Sequence, residues 1–139
     1  MSLWIFDTDC LTLFQHGQRQ LIERVARLPQ DQVTTTIVTL EEQVRGRFNL
    51  VRRAETIEQL VNAYQRLQEA IVFFQRFQVL EFSPSAGTHY RSLKEQKLRI
   101  GSRDLRIAAI ALSNDGIVVT RNQKDCSQVP RLKIEDWLL

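Results

Sequence analysis

The sequence predicts an α/β domain, a mainly parallel central sheet of four to five strands with helices on both sides. Short apolar or β-branched runs alternate with longer stretches of helical periodicity along all 139 residues. Helical segments separate the successive strands, which demands right-handed crossovers rather than hairpins. The chain contains no internal repeat, low-complexity tract or linker, so residues 1–139 read as one domain.

Residues 3–6 are wholly apolar and meet polar residues at Asp7, the pattern of a strand buried on both faces. Thr8 or Asp9 can cap a short helix through about residue 15, which Gly17 ends. Residues 18–28 follow, with Leu21, Ile22, Val25 and Leu28 on one helical face and Pro29 as the stop. The β-branched run 33–38 makes a second strand. Thr39 then starts a helix carrying Glu41 and Glu42. Residues 54–77 form the longest helix, whose apolar stripe is Leu60, Tyr64, Leu67, Ile71 and Phe74.

Residues 79–82 give a third strand, and Ser83-Pro84 opens a helix through about residue 98. The chain breaks at residues 100–102, where Ser102 can cap a helix over 103–113. Its apolar face is Ile107, Ala108, Ala111 and Leu112. Residues 117–119 are a fourth strand, and 132–134 add a short edge strand before Trp137.

Composition narrows the class. Hydrophobic residues are 43% and charged residues 25% of the chain, which is too apolar for a disordered protein. Cys10 and Cys126 are far apart with no CxxC spacing, which argues against a zinc site or a disulfide-stapled scaffold. The N-terminus lacks a basic region and a long apolar core, so it does not read as a signal peptide. No apolar run approaches the ~18 residues of a membrane span. A cytoplasmic protein with no membrane association is expected. The formal charge of +3 permits nucleic-acid contact without requiring it. Arg45, Arg47, Arg52 and Arg53 cluster after Glu42, and Arg103, Arg106 and Arg121 flank other acids; a solvated helix face explains them as well.

The acids are the informative feature. Asp7 and Asp9 fall at the carboxyl end of the first strand, and Glu41 and Glu42 in the helix after the second. Asp104 starts the helix before the fourth strand, while Asn122 and Asp125 follow that strand directly. Open parallel sheets form their sites in the crevice beyond the carboxyl ends of the strands. Any one of these acids could serve a cap, a turn or the helix dipole, the last worth roughly 0.3–1 kcal/mol. Asp7, abutting the core, needs a partner. Three or four carboxylates meeting without a cation would repel one another, and magnesium or manganese resolves that conflict. His16 and His89 lie away from the acids, so no serine–histidine–acid arrangement is visible. Hydrolysis by metal-activated water fits such a site, with arginines holding phosphate.

Five segments carry a family resemblance: WIFDTD at 4–9, IVTLEEQVRG at 37–46, IGSRDLRIAAIAL at 100–112, VVTRNQKD at 118–125 and VPRLKIEDW at 129–137. In that order and spacing the chain resembles the PIN-domain ribonucleases, most closely the VapC-type toxins of bacterial toxin–antitoxin modules. The resemblance implies a three-layer α/β/α sandwich. It assigns Asp7, Glu42 and Asp104 to metal binding and catalysis, with Asp125 as a further catalytic acid. It gives Thr120, Asn122 and Asp9 supporting roles, and Arg45, Arg103 and Arg121 are the expected RNA contacts. Asn122 departs from the pattern, because members with a fourth acid often carry it there.

The resemblance also implies an endoribonuclease using Mg2+ or Mn2+, an RNA substrate, a homodimer and inhibition by a small VapB-like antitoxin. Two alternatives stand beside it. One is a catalytically weak or inactive PIN-like domain that binds nucleic acid or a protein partner. The other is a nuclease acting on DNA or in RNA maturation.

Overall fold

Ile5 and Phe6 are adjacent, wholly buried and on opposite faces of one strand, and this pair explains the layering. In the computed structural model, which describes residues 2–139, Trp4–Phe6 forms β1 at the centre of a five-stranded sheet. The other strands are β2 (Val33–Thr36), β3 (Gln78–Leu80), β4 (Ile117–Val119) and β5 (Lys133–Glu135). Their order is β3-β2-β1-β4-β5, and every pairing is parallel. The register sets Ile5 beside Val118 and Phe6 beside Val119. One face therefore carries Ile5 and Val118, the other Phe6 and Val119.

Helices cover both faces. α1 (Thr8–Gln15), α2 (Arg19–Ala26) and α4 (Ile57–Arg76) pack on the Phe6 side, with Leu11, Leu21, Phe74 and Trp137 in its core. α5 (Pro84–Glu95) and α6 (Ser102–Ser113) pack on the Ile5 side through Ala86, Ile107, Ile110 and Ala111. α3 (Ile37–Arg53) contributes Val38 to that second core and packs along α4. The result is the three-layer α/β/α sandwich with a parallel sheet. Among the described residues, no helix is long and apolar enough to cross a membrane.

Thr34, Thr35 and Thr36 are wholly buried in β2, yet each hydroxyl has a partner. Thr34 and Thr35 donate to the carbonyls of Trp4 and Phe6 at 2.9 and 2.8 Å, stitching β2 to β1 beyond the ladder. Thr36 caps α3 by accepting from the Thr39 amide at 3.2 Å. The strand expected over 33–38 therefore stops at Thr36, because the cap hides inside a β-branched run. Gly116 enters β4 where space is shortest. A Cβ there would stand 2.6 Å from Ile5 Cδ1 and 3.2 Å from the Leu3 carbonyl.

Other boundaries move for local reasons. The long helix starts at Ile57 rather than residue 54, fixed by a capping box between Thr56 and Gln59. Its buried residues are Ala63, Ala70 and Phe74, with Leu67 half-buried between them, while Tyr64 and Ile71 of the expected stripe face outward. Small residues at 63 and 70 let α3 approach, which a size-blind apolar pattern misses. Asp7, not Thr8 or Asp9, caps α1. Gly101 precedes α6 with no side-chain cap, so Ser102 lies inside the helix. α5 ends at Glu95, short of residue 98, and Lys97 turns the chain at φ 53°. A short helix α7 (Gln123–Cys126), absent from the sequence reading, follows β4.

Candidate functional site

The strand order fixes the place. The chain leaves β1 toward β2 on one side, whereas β4 and β5 lie on the other, so a crevice opens between the carboxyl ends of β1 and β4. Asp7 follows β1, and its amide donates to the Val119 carbonyl at 3.2 Å. Thr120, Arg121 and Asn122 follow β4. α6 runs back against the strands before β4, so its first turn reaches the same edge. A cleft of about 710 Å³ results, lined by Asp7, Thr8, Asp9, Glu42, Arg103, Asp104, Arg121 and Asn122, with Gly101 and Ser102 at its wall.

Asp7 is the most enclosed acid, only 8% exposed. Its Oδ1 accepts from the Cys10 amide at 2.9 Å as the cap of α1. Burial raises its pKa. Hydrogen bonds from Thr120 and the Cys10 amide pull the other way, and nearby Asp9 adds to the rise. Arg121 reaches it by charge alone, from an exposed guanidinium already paired with Asp9. It is a buried carboxylate with no ion-pair partner of its own among the described residues.

Glu42 is held from two directions. Thr8 donates to its Oε1 at 2.8 Å and meets the Thr39 hydroxyl at 3.1 Å, while Arg103 binds Oε2. Asp104 is reached by the Asn122 side-chain amide at 3.5 Å, and that amide also donates to Asp125 at 3.1 Å. Asn122 thus bridges the acid inside the cleft to the one behind it. Asp125 does not line the cleft; it sits on α7. Asp9 is exposed on the rim, paired with Arg121 at 2.8 Å. Arg45 pairs with Glu41 on the open face of α3 and is not part of the cleft wall.

The sequence-derived residues therefore divide. Asp7, Glu42, Asp104, Asn122, Asp9, Arg103 and Arg121 share one cleft, with Thr120 buried against Asp7. Asp125 is linked through Asn122, and Arg45 points elsewhere. Among the described residues, no three His, Cys, Asp or Glu side chains are already gathered closely enough to hold a metal ion.

One participant escaped the sequence reading. By sequence Thr8 reads as a cap and a supporting role falls to other residues, yet it orients Glu42; its place directly after Asp7 is the available signal. Cys126 is buried beneath the acids. Burial first, then Asp104 and Asp7, push its thiol up to about 11, and Asp125 adds to this. Cys10 is likewise pushed up by burial and by Asp7. Neither thiol is a nucleophile at neutral pH.

No family model matches the chain. Individual relatives do. Ribonuclease VapC1 of Haemophilus influenzae is 30% identical over 139 residues, covering 97% of this chain and 98% of that protein. The tRNA(fMet)-specific endonuclease VapC of Salmonella typhimurium is 30% identical over 118 residues, covering 73% of this chain and 89% of that protein. Among solved structures, VapBC-1 from nontypeable Haemophilus influenzae superposes with a TM-score of 0.78 at 26% identity, covering 99% of both chains. The DNA-bound VapBC of Salmonella typhimurium gives a TM-score of 0.78 at 24% identity, again covering 99% of both, a likeness of fold.

Proposed function

Because this chain belongs to the VapC ribonuclease family, we propose that it is a Mg2+- or Mn2+-dependent endoribonuclease, the toxin of a toxin–antitoxin pair, hydrolysing RNA phosphodiester bonds at the Asp7 cleft. The observation that carries the reading is Asp7, a buried carboxylate with no ion-pair partner of its own among the described residues, in the same cleft as Glu42 and Asp104.

The donors suit a hard divalent ion in kind. They are carboxylate oxygens with an amide beside them, and no imidazole or thiol lines the cleft. Asp7, Glu42 and Asp104 would hold the ion. When bound, it supplies a lowered water pKa and positive charge against the phosphoryl oxygens. The chain's own residues do the rest. The Cys10 amide and Thr120 fix the orientation of Asp7. Thr8 holds Glu42 from below, leaving Arg103 free to exchange its carboxylate for a substrate phosphate. Arg121, half exposed at the rim, can make the same exchange from Asp9.

The neighbouring solved structures are titled as VapBC complexes, which supports a small VapB-like antitoxin as this chain's partner. Ile57, Val61 and Tyr64 are exposed on one face of α4 and support a homodimer. The expected setting is the cytoplasm, where RNA is found.

The test is RNA cleavage by the purified chain with Mg2+ or Mn2+, with EDTA, and in the Asp104→Asn variant. Cleavage that needs metal and is lost in the variant is expected; cleavage undiminished by EDTA would overturn the metal. A second reading, a weak or inactive domain that binds without cutting, is favoured by Asn122, which puts an amide where a fourth acid would add charge. Manganese titration calorimetry separates the two, since no heat at millimolar metal favours the second.

A further inference from the structure

A second cleft of about 420 Å³ lies among α1, α3 and α4 and shares no lining residue with the acid cleft. Its charges are Arg47, Arg66 and Glu69. Arg47 is the anomaly, because its Nε is out of solvent and has no hydrogen-bond acceptor. No side chain of the surrounding wall, which includes His16 and Asn62, takes that hydrogen. The Gln15 and Gln43 amides are bonded to each other at 2.9 and 2.8 Å. Burial and the facing Arg66 both lower the Arg47 pKa, and Glu69 only partly offsets them. Two guanidiniums thus share a cleft holding one carboxylate, which leaves room for one more anion.

The surroundings say what carries that anion. The cleft adjoins a groove in which Val72, Phe73 and Phe77 lie beside Gln65, Gln68 and Arg76, and the two share Glu69 and Phe73. An occupant must present an acid beside apolar side chains, the pattern of an amphipathic protein segment. An RNA backbone fits less well. Glu69 would repel a run of phosphates, and the Phe73 ring is already stacked on Phe77 at 5.2 Å, so it is no free platform for a base.

We propose that the Arg47–Arg66 cleft receives a carboxylate side chain of the antitoxin, a second contact separate from the acid cleft. The proposal rests on the partner reading above, and two measurements keep the two apart.

In the first, the Arg47 and Arg66 Nε–Hε NMR signals are followed at constant ionic strength during titration with acetate and, separately, dimethyl phosphate. Saturable shifts with acetate, flattened in R66Q, are expected. No saturation with either anion, or tighter saturation by dimethyl phosphate, would overturn the site as a carboxylate receptor. In the second, affinity for the small protein encoded beside this chain's gene is measured for wild type, R47Q and R66Q. A loss of about tenfold or more is expected in both variants, with RNA cleavage by the free chain unchanged. Equal affinity for wild type and variants would overturn the proposal, as would loss of cleavage with binding intact. If the wild type itself fails to bind that protein, the partner reading falls, and the acetate titration still decides the anion site.

Discussion

Replacing Asp7 by asparagine should abolish cleavage and, in the absence of metal, make the protein more stable. The side chain performs two jobs that asparagine separates. As a cap it accepts from the Cys10 amide at 2.9 Å, and asparagine caps about as well as aspartate. As a charge it is buried with no ion-pair partner, the nearby Arg121 being held by Asp9, and removing that charge relieves desolvation. A gain on the order of 1–2 kcal/mol follows for the metal-free chain. In a protein of this size that is roughly 3–8 °C in Tm. Asp7→Ala loses the cap as well, at about 0.5–2 kcal/mol, so it should fall below Asp7→Asn by that amount.

The pH dependence has a definite sign. The folded-state pKa of Asp7 is raised, so the folded protein keeps this proton where the unfolded chain has lost it. Wild-type stability in EDTA therefore declines as pH climbs from the ordinary carboxylate range through the folded pKa of Asp7, then levels. The asparagine variant lacks that decline. Thermal melts in EDTA across pH, beside RNA cleavage in magnesium, check all of this. An asparagine variant that is less stable than wild type in EDTA, or one that cuts RNA normally, would refute the reasoning.

Three further outcomes follow from the same geometry. Thr8→Val removes the donor to Glu42 and should cut kcat about tenfold with an unchanged melt, whereas Thr8→Ser restores it; a valine variant with full kcat would remove Thr8 from the site. Asn122→Asp deletes an amide that bridges Asp104 and Asp125. It should lower Tm in EDTA by like-charge repulsion and tighten manganese binding measured by calorimetry. Gly116→Ala forces a methyl against Ile5 and the Leu3 carbonyl; chemical denaturation should show a loss of about 1–3 kcal/mol.

Much of the frame was legible because it depends on patterns only a few residues long. The apolar run ending at Asp7 marks a doubly buried strand, and the apolar run Ile117–Val119 marks its neighbour. Parallel order then follows from the intervening helices, and the acids fall at one edge by their place in the chain. Side-chain details depend on three dimensions and were not legible. Asp7 and Thr8 both read as polar residues at a helix start, and only the packing of α1 against α3 makes one a cap and the other a brace for Glu42. The α4 stripe failed for a related reason. Alanines 63 and 70 look neutral in a pattern, but close helix approach selects them over the larger Tyr64 and Ile71. Asp125 reads as a further acid just after the fourth strand, whereas the chain forms α7 there and sets it behind Asn122.

The paired arginines at the mouth of the cleft change how a ligand enters it. Arg103 and Arg121 are already satisfied by Glu42 and Asp9, so neither arginine is a free cation at rest and the cleft is not an open basic trough. A phosphate that arrives is traded for a carboxylate that leaves, and few counterions are released in the exchange. Binding should therefore depend on added salt more weakly than two free arginines would dictate. A ligand offering only one anion gains little from such a trade; one offering two, at the spacing of these arginines, frees both acids together.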